Sequence, residues 1–364
     1  MKKVLIADWL DAYGGAERVI KTLNEIFSFD KTYTLICLMK KKDLNKIYPN
    51  TDPIIIESKI KFFKKHFRYF FFLFHYFIKK IKIDSDTDLI ISSSHSISKG
   101  VRKTNKNQIH ISYFQARNFN YIWEDSKLFF GLFKPLFFPL IFLLRKIDVL
   151  HSKNPDYIIV NSVFVKDWVM KRYNRDSVVI YPPVDLSNFN LEVNKENYYV
   201  AVGRIVTVKK FDILVKAFNI LGEKLIIIGD GKQLNSLKKI ANSNIIFTGF
   251  LTSEEVNKYV SKAKAFMQPG VEGFGIATLE ALACGTPVVA YGKGGVLETV
   301  VDKKTGLFFY QQNEMEVIKA IKSFQDITFN YRLLRSEALK FSEQRFKEEI
   351  NIFISHKINE KEPV

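Results

Sequence analysis

The chain has 364 residues, of which 47% are hydrophobic and 14% are aromatic, with 33 phenylalanines among them. This length exceeds what one core usually fills, so two domains are expected, and the composition excludes a disordered chain. The formal net charge of +17 predicts an anionic partner such as nucleic acid, a membrane surface or a phosphorylated substrate, unless it only reflects a lysine-rich composition.

The amino terminus is predicted to form a first strand rather than a targeting sequence. Its apolar run ends at Asp8 and is too short for a signal peptide. The most hydrophobic stretch, residues 135–144, is shorter than the roughly 20 residues that cross a bilayer. Cys37 and Cys284 form neither a metal-ligand pattern nor a disulfide framework, so both are expected to be core residues. These features predict a cytoplasmic protein without a transmembrane span.

Short β-branched runs alternate with helical patterns along the whole chain, which is the order expected of parallel sheets. Six such runs lie in the first half and five in the second. Several of them, such as KLIIIG, are continuously apolar, as strands covered on both faces should be. Pro182 and Pro183 end a strand before a polar stretch, so a linker is predicted near residues 184–197. The sequence therefore predicts two doubly wound α/β domains, over 1–185 and 186–341.

The first candidate site in chain order follows the first predicted strand. Gly14 and Gly15 stand there before a helical pattern that contains Glu17. A glycine-rich turn at a helix N-terminus allows backbone N–H groups to face a phosphate. A Gly-Gly turn is common in proteins, so this pattern alone indicates little.

A basic amphipathic helix is predicted from Ile60 to Ile81. Apolar residues with helical spacing define one face: Ile60, Phe63, Phe67, Phe70, Phe71, Phe74, Ile78 and Ile81. Such a helix either docks on the first sheet or lies in an anionic membrane interface, and Phe72 and Phe77 favour the membrane because they widen the apolar face. An anionic membrane surface is therefore the predicted partner of residues 60–82, and a second aromatic patch with basic edges extends this surface over 128–146.

Three alternating carboxylates, Asp84, Asp86 and Asp88, are similar to a metal clamp. Carboxylates that hold Mg²⁺ or Mn²⁺ at a diphosphate would have to follow a strand. This run precedes a strand instead, so a solvated turn is the expectation, and neither a metal nor another cofactor is predicted.

The most specific pattern extends from Glu272 to Glu280, with GFGIATL between the two glutamates and CGTPVVA after them. A glycine-containing loop opens a helix here, so free N–H groups and the positive helix end can face a diphosphate. Glu280 is suitably placed to accept hydrogen bonds from ribose hydroxyls, and Glu272 would lie beside a sugar. The pattern predicts a nucleotide-sugar site.

This stretch resembles the E-x(7)-E signature of glycosyltransferase family 4. VGRIVTVKKFDILVKAF resembles the family's G-R-x(4)-K segment, and DWLDAYGGAERVI, ISSSHSISKGV and YGKGGVLETV resemble its mannosyltransferases of bacterial O-antigen and surface polysaccharide assembly. The resemblance covers nearly the whole chain. It implies the GT-B fold, which is two Rossmann-like domains with the donor site in the interdomain cleft, and a helix within 342–364 that crosses back to the first domain.

The resemblance also implies roles for individual residues. Glu272 would hold the transferred sugar, while Arg204 and Lys209 would clasp the donor phosphates as catalytic cations, because departure of the diphosphate generates negative charge. The implied donor-binding residues are Gly14, Gly15, Gly203, Gly229, Phe250, Gly273, Phe274, Gly275, Ile276 and Glu280.

The sequence indicates less about which residues bind the acceptor; the candidates are Glu17, His95 and Gln115. The related mannosyltransferases have a Tyr-x-His-Thr-Pro string where this chain has Gln115, which cannot carry a proton at neutral pH. His95 or His110 could substitute for the missing imidazole. His95 could equally be a structural loop residue.

The predicted function is that of a retaining, metal-independent glycosyltransferase, peripheral on the inner face of the cytoplasmic membrane. It would move a hexose, mannose from GDP-mannose, to a lipid-pyrophosphate-linked or growing saccharide acceptor. Alternatives are a catalytically weak nucleotide-sugar-binding assembly partner, suggested by Gln115, and a transferase that uses a UDP-sugar. No nucleic acid partner is predicted because the sequence has no recognition-helix or RNA-binding motif.

Overall fold

The computed structural model describes residues 1–49 and 51–360. The chain forms two compact units. The N-terminal unit comprises Met1–Pro183 and the chain from Phe346 onward, and the C-terminal unit comprises Val184–Arg345. Residues 361–364 of the predicted last segment lie outside the described residues.

A sheet of seven parallel strands forms the centre of the N-terminal unit. Its strands are β1 (Lys3–Ala7), β2 (Lys31–Thr34), β3 (Ile55–Glu57), β4 (Leu89–Ser94), β5 (Ile109–Phe114), β6 (Tyr157–Val160) and β7 (Val178–Val179). They are arranged in the order β3-β2-β1-β4-β5-β6-β7. The helices of this part of the chain are α1 (Gly15–Phe27), α2 (Lys41–Ile47), α3 (Phe74–Lys80), α4 (Ser126–Phe130), α5 (Phe138–His151) and α6 (Val163–Tyr173).

A sheet of six parallel strands forms the centre of the C-terminal unit. Its strands are β8 (Glu196–Val202), β9 (Leu225–Ile228), β10 (Ile245–Gly249), β11 (Ala263–Gln268), β12 (Val288–Tyr291) and β13 (Gly306–Phe309), in the order β10-β9-β8-β11-β12-β13. Its helices are α7 (Phe211–Leu221), α8 (Leu234–Ile240), α9 (Ser253–Lys262), α10 (Ile276–Ala283), α11 (Val296–Thr299), α12 (Glu314–Gln325) and α13 (Tyr331–Leu339). The final helix, α14 (Glu343–Asn359), buries Phe346, Ile350 and Ile354 in the core of the N-terminal unit.

Strand alternation explains how the N-terminal sheet is covered on both faces. Within β1, Val4 and Ile6 pack in the core on one face, and Leu5 and Ala7 pack in the core on the other. Every residue of β4 and β5 is buried. The predicted pair of parallel α/β sheets is confirmed. The short edge strands β3 and β13 were not predicted, because a run of three or four residues is too short to show a clear strand pattern.

The Phe-rich segment contradicts the prediction of one continuous helix from Ile60 to Ile81. Lys59–Leu73 is a 3₁₀-type segment with a left-handed residue at Lys64 (φ 45°), and α3 begins only at Phe74. Aromatic residues in succession have low helix propensity, and the segment follows the sheet surface instead. The apolar face predicted for this segment is largely buried in the core. The structure therefore shows this face docked on the first sheet. Phe62, Tyr69, Phe72 and Tyr76 are exposed.

None of the helices in the described residues is long and apolar enough to span a bilayer. Cys284 is buried in the C-terminal unit, whereas Cys37 is half-buried against the N-terminal core.

A completely buried ion pair joins Lys99 to Asp148, with 2.7 Å between Nζ and Oδ1. The other carboxylate oxygen accepts hydrogen bonds from Trp123 Nε1 at 2.8 Å and from the Tyr173 hydroxyl at 2.6 Å. Lys99 also donates to the carbonyl oxygen of Ser96 at 2.6 Å. These bonds offset the desolvation of the two charges, so both partners are needed.

Replacing Asp148 by asparagine is expected to lower the free energy of unfolding of the N-terminal unit by about 3–5 kcal/mol, because Lys99 is left buried without a counter-charge. All three tryptophans lie in this unit, so urea unfolding followed by tryptophan fluorescence measures it selectively. Asp43→Asn, which breaks the exposed pair with Lys46, is the matched control and should cost less than about 1 kcal/mol. Equal losses in the two variants would contradict this interpretation.

Three histidines of the N-terminal unit are buried in neutral form. Burial lowers the pKa of His75 to about 3, that of His110 to about 3 and that of His151 to about 2. The Nδ1 atoms of His75 and His151 are 3.1 Å apart, so one ring must accept a hydrogen bond from the other. Since the unfolded rings titrate near pH 6.5, acid favours the unfolded chain.

Below pH 6.5 the unfolded state binds protons that the folded state does not, so stability is present above that pH and is lost as the pH falls. With three such histidines, the free energy of unfolding should fall by about 4 kcal/mol per pH unit below about pH 6. Urea unfolding at pH 7, 6 and 5 measures the slope. His110→Gln should reduce it by about a third; equal stability at pH 7 and 5 would show that the rings are not buried neutral.

Candidate functional site

The candidate site of the C-terminal unit lies at the carboxyl ends of its strands. Because all strands are parallel, the loops that follow them meet at one edge of the sheet, where open α/β sheets bind ligands. The predicted donor residues of this unit follow β8, β9, β10 and β11 directly. Topology therefore brings them to the same edge.

The loop after β8 carries the predicted cations. Arg204 is exposed and has no ion-pair partner among the described residues, and Lys209 ends a 3₁₀ turn, Thr207–Lys209. The loop after β9 supports this one by close backbone contact, since a Cβ on Gly229 would lie 2.0 Å from the carbonyl oxygen of Gly203. Glycine at position 229 is thus required by packing between the loops.

Lys209 Nζ forms an ion pair with Glu272 Oε1, which joins the loop after β8 to the loop after β11. The same carboxylate oxygen accepts a hydrogen bond from the buried Gln268 Nε2 at 3.3 Å. Both charged side chains remain partly exposed, at 25% for Lys209 and 23% for Glu272. Lys209 and Glu272, two of the three predicted catalytic residues, are in contact, with solvent access for a ligand.

Helix α10 begins directly after this pair. Gly275 is its N-cap with φ 99°, a left-handed conformation that favours glycine. The N–H groups of Ile276 and Ala277, in the first turn, have no acceptor within the helix and carry its positive dipole end, whereas Thr278 donates its N–H to the Gly275 carbonyl oxygen at 3.1 Å. Phe274, also among the predicted donor-binding residues, is 3% exposed, and its ring packs on Phe341, so its backbone is the part that stays available to a ligand.

Glu280 lies in the second turn of α10 and is 7% exposed. Phe250, after β10, is 81% exposed and follows Gly249, whose carbonyl oxygen accepts from the Gly229 N–H at 2.8 Å. A nearly buried carboxylate and an exposed aromatic ring are thus held at the same sheet edge. They suit a ribose and a flat base respectively.

Three residues that shape the loop after β11 had no role predicted from the sequence. Gln268 holds Glu272, as described above. Gly295 donates its N–H to the Glu272 carbonyl oxygen at 3.0 Å, and a Cβ on Gly294 would lie 2.5 Å from that oxygen. The Gly-Gly pair in the loop after strand β12 is the sequence feature that could have indicated this close backbone contact.

In the N-terminal unit, Gly14 and Gly15 begin α1 as predicted from the loop pattern. Glu17, predicted on the acceptor side, is 8% exposed and accepts a hydrogen bond from the Gly14 N–H at 2.9 Å. This bond is one half of a capping box, since glycine has no side chain to make the return bond, and it gives Glu17 a structural role at the helix N-terminus.

Asp8, directly after β1, organises the loop that carries His95. Its buried carboxylate accepts hydrogen bonds of 2.5 to 2.9 Å from the backbone N–H groups of residues 95–98. One carboxylate oxygen also lies 3.1 Å from His95 Nδ1, and Trp9 packs edge-on against the imidazole at 4.5 Å. His95 is therefore held in a fixed orientation while 30% of its side chain is exposed. The sequence feature that could have indicated this role of Asp8 is an acidic residue at the end of a strand.

Gln115 follows β5 and its Nε2 donates to Ser93 Oγ at 3.0 Å. His110, the other histidine considered in its place, is fully buried within β5 and lies 2.8 Å from Ser92 Oγ. His110 cannot reach a substrate, so of the two alternatives only His95 lies at the carboxyl edge of the sheet.

The acidic run before β4 is occupied by cations of the chain itself. Asp84 pairs with Lys31 at 2.6 Å and with Lys2 at 3.4 Å, and Asp86 pairs with Lys2 at 2.9 Å. The run lies at the amino end of the strand, opposite to the carboxyl edge of the same sheet, where His95 and Gln115 lie.

Residues 185–338 match the family model described as glycosyl transferases group 1. An uncharacterized glycosyltransferase of Methanocaldococcus jannaschii is 31% identical over 178 residues, covering 47% of this chain and 50% of the relative. A GDP-mannose-dependent alpha-(1-6)-phosphatidylinositol monomannoside mannosyltransferase of Mycolicibacterium smegmatis is 37% identical over 125 residues, covering 29% and 33%. The O-antigen chain mannosyltransferase RfbU of Salmonella typhimurium is 30% identical over 172 residues, covering 43% and 49%.

The chain thus spans about a third to a half of the length of these curated relatives. Among solved structures, Anabaena HepE in complex with UDP has a TM-score of 0.72 at 15% identity, covering 98% of this chain and 100% of that chain. Sucrose-phosphate synthase of Thermosynechococcus elongatus has a TM-score of 0.71 at 16% identity, covering 99% and 100%. These likenesses confirm the predicted α/β fold of the GT-B kind, with two Rossmann-like domains.

Proposed function

We propose that the protein is a retaining, metal-independent glycosyltransferase that moves mannose from GDP-mannose to a lipid-linked or growing saccharide in surface polysaccharide synthesis. The observation that carries this proposal is the contact between Lys209 and Glu272 beside the N-terminus of α10. It lies within the segment that matches group 1 glycosyl transferases. A cation, an anion and free helix N–H groups at one sheet edge suit a diphosphate that carries a sugar.

In the proposed reaction, the bond between the anomeric carbon and the diphosphate oxygen breaks, and its electron pair leaves with the diphosphate. Arg204, Lys209 and the α10 N–H groups stabilise the developing charge. An acceptor hydroxyl oxygen bonds to the anomeric carbon on the face that the diphosphate leaves, and its proton passes to the diphosphate. Glu272 holds hydroxyls of the sugar, and Glu280 accepts hydrogen bonds from the ribose.

Mannose and GDP are proposed because the residue patterns resemble mannosyltransferases, and because two of the relatives are named as such. Isothermal titration calorimetry with GDP-mannose and a panel of UDP-sugars tests this choice. Tight binding of GDP-mannose with weak binding of UDP-sugars is expected. Tight binding of a UDP-sugar with weak binding of GDP-mannose would instead indicate a transferase that uses a UDP-sugar.

A second candidate, a nucleotide-sugar-binding assembly partner without turnover, is motivated by Gln115 in place of an expected histidine. Release of nucleoside diphosphate separates the two candidates. Wild-type turnover that Glu272→Ala abolishes is expected for the enzyme. Binding without any turnover in the wild type would favour the assembly partner.

We also propose peripheral contact with an anionic membrane through residues 60–82 and 128–146. Support comes from the exposed aromatic side chains of both segments and from the lysines beside them. Flotation with anionic vesicles tests the contact. The variant with Lys61, Lys64 and Lys65 replaced by glutamate should stay at the bottom of the gradient; unchanged flotation would exclude this surface.

A further inference from the structure

An apolar groove of about 390 Å³ lies in the N-terminal unit, between the end of the 3₁₀-type segment and the region around α4 and α5. Its lining residues are Arg68, Tyr69, Phe71, Phe72, Phe129, Phe130, Phe137 and Leu140. Phe130 is nearly buried and forms part of the floor, whereas Tyr69, Phe72 and Phe129 remain exposed by 75%, 41% and 55%. This size is within the range of small-molecule sites.

Aromatic packing holds the groove in shape. The ring of Phe71 packs edge-on against Phe129 and Phe130, with centroids 5.7 and 6.0 Å apart, and Phe130 packs on Phe137 at 5.3 Å. Such ring pairs are favourable beyond the area that they bury. The walls are therefore built by contacts of the chain with itself, yet a strip of apolar surface between them stays open to water.

The two segments that form the groove are rich in basic residues. Segments 59–82 and 126–147 contain twelve lysine and arginine residues and no aspartate or glutamate. Neighbouring exposed aromatic side chains indicate an interaction site, and the charge indicates that the occupant is anionic as well as apolar. A hydrocarbon chain that ends in a phosphate meets both requirements.

The charged end of the groove is connected to the candidate acceptor side. Arg68 is the one charged lining residue, and its guanidinium lies over the ring of Trp9 at 5.6 Å. Trp9 in turn contacts His95 edge-on at 4.5 Å. Arg68 also pairs with Asp11, in the loop that follows β1. The groove thus begins beside the sheet edge where Gly14, His95 and Gln115 lie.

We propose that this groove binds the apolar chain of a lipid-linked acceptor, with Arg68 and the nearby lysines contacting its phosphate. The head group would then extend from Arg68 toward His95. The identification of this lipid as the acceptor rests on the proposed glycosyltransferase function. The binding of a single isoprenyl phosphate by the groove does not depend on that function.

Titration calorimetry with farnesyl phosphate, kept below the concentration at which it forms micelles, tests the groove. We expect saturable binding of one molecule per chain. The double variant Phe72→Asp, Phe137→Asp should bind at least about ten-fold more weakly, because charges placed in an apolar groove remove its favourable contacts. Arg68→Gln should weaken binding of farnesyl phosphate but leave binding of farnesol unchanged.

The matched control is Leu132→Asp, Phe138→Asp, which adds the same charges to exposed residues of the same surface that do not line the groove. This variant should bind farnesyl phosphate like the wild type. Equal losses in the two double variants, or no saturable binding by the wild type, would overturn the proposal, and vesicle binding without monomer binding would do so as well. Near-ultraviolet circular dichroism checks that both variants are folded.

Turnover of GDP-mannose distinguishes failure of this proposal from failure of the proposed function. Without an acceptor, the groove variant should hydrolyse GDP-mannose to GDP and mannose at the wild-type rate, with water as the nucleophile, and it should lose only the stimulation by a tailed acceptor. If the wild type releases no GDP, the proposed function fails, while farnesyl phosphate binding still decides whether the groove takes a lipid chain.

Discussion

Replacing Lys209 by methionine is expected to lower kcat for sugar transfer by about 10²–10³, the usual effect of removing one group that stabilises transition-state charge. The ammonium group is fixed by Glu272 at the sheet edge, beside the positive end of α10. Charge on the diphosphate grows as the sugar leaves, so the cation contributes more in the transition state than in the bound donor. The Michaelis constant for the donor should therefore change much less than kcat.

Steady-state release of nucleoside diphosphate measures both constants. Lys210→Met is the matched control, because it removes the neighbouring positive charge of the same loop while leaving the ion pair with Glu272 intact. This control should retain wild-type kcat to within about two-fold. If Lys209→Met and Lys210→Met have the same kcat, Lys209 has no special part in leaving-group departure.

Replacing Glu272 by glutamine is expected to lower kcat by about 10², since the side chain keeps its shape but loses the charge that fixes Lys209 and that holds sugar hydroxyls. Gln268 can still hydrogen-bond the new amide oxygen, so the loop should remain ordered. Donor affinity should fall only modestly. Kinetics at saturating donor, with circular dichroism as a fold check, measure this effect.

Glu280→Gln provides the contrasting variant. Its carboxylate lies within α10 and is proposed to bind the ribose, so it should raise the donor Michaelis constant about ten-fold with little change in kcat, as loss of uniform binding does. The opposite pattern, a kcat loss for Glu280→Gln and an affinity loss for Glu272→Gln, would reverse the division of labour between the two glutamates.

The sequence was sufficient to predict the two parallel sheets and the loops that carry the proposed donor-binding residues, because both depend on local patterns. A continuous apolar run such as β9 marks a buried parallel strand, and glycine at position 275 marks a helix start. The placement of Lys209 against Glu272 required the fold, since 63 residues separate them. Parallel topology alone brings their loops to one edge.

Other features could not be predicted because they depend on packing or on long-range hydrogen bonds. The 3₁₀ geometry of residues 59–73 follows from how phenylalanines fit against the sheet, although their spacing also suits an α-helix. The role of Asp8 depends on four N–H groups about ninety residues away. Likewise, the burial of Phe274 depends on its contact with Phe341.

Appearance of GDP and mannose in a phosphorus and carbon NMR time course of GDP-mannose with the purified protein, in which water takes the place of the acceptor hydroxyl, is the most direct measurement of the central claim, that this site breaks the bond between sugar and diphosphate. The wild type should convert the donor signals into those of GDP, and Lys209→Met and Glu272→Gln should leave them nearly unchanged. An unchanged wild-type spectrum despite donor binding, or conversion by both variants at the wild-type rate, would contradict the claim.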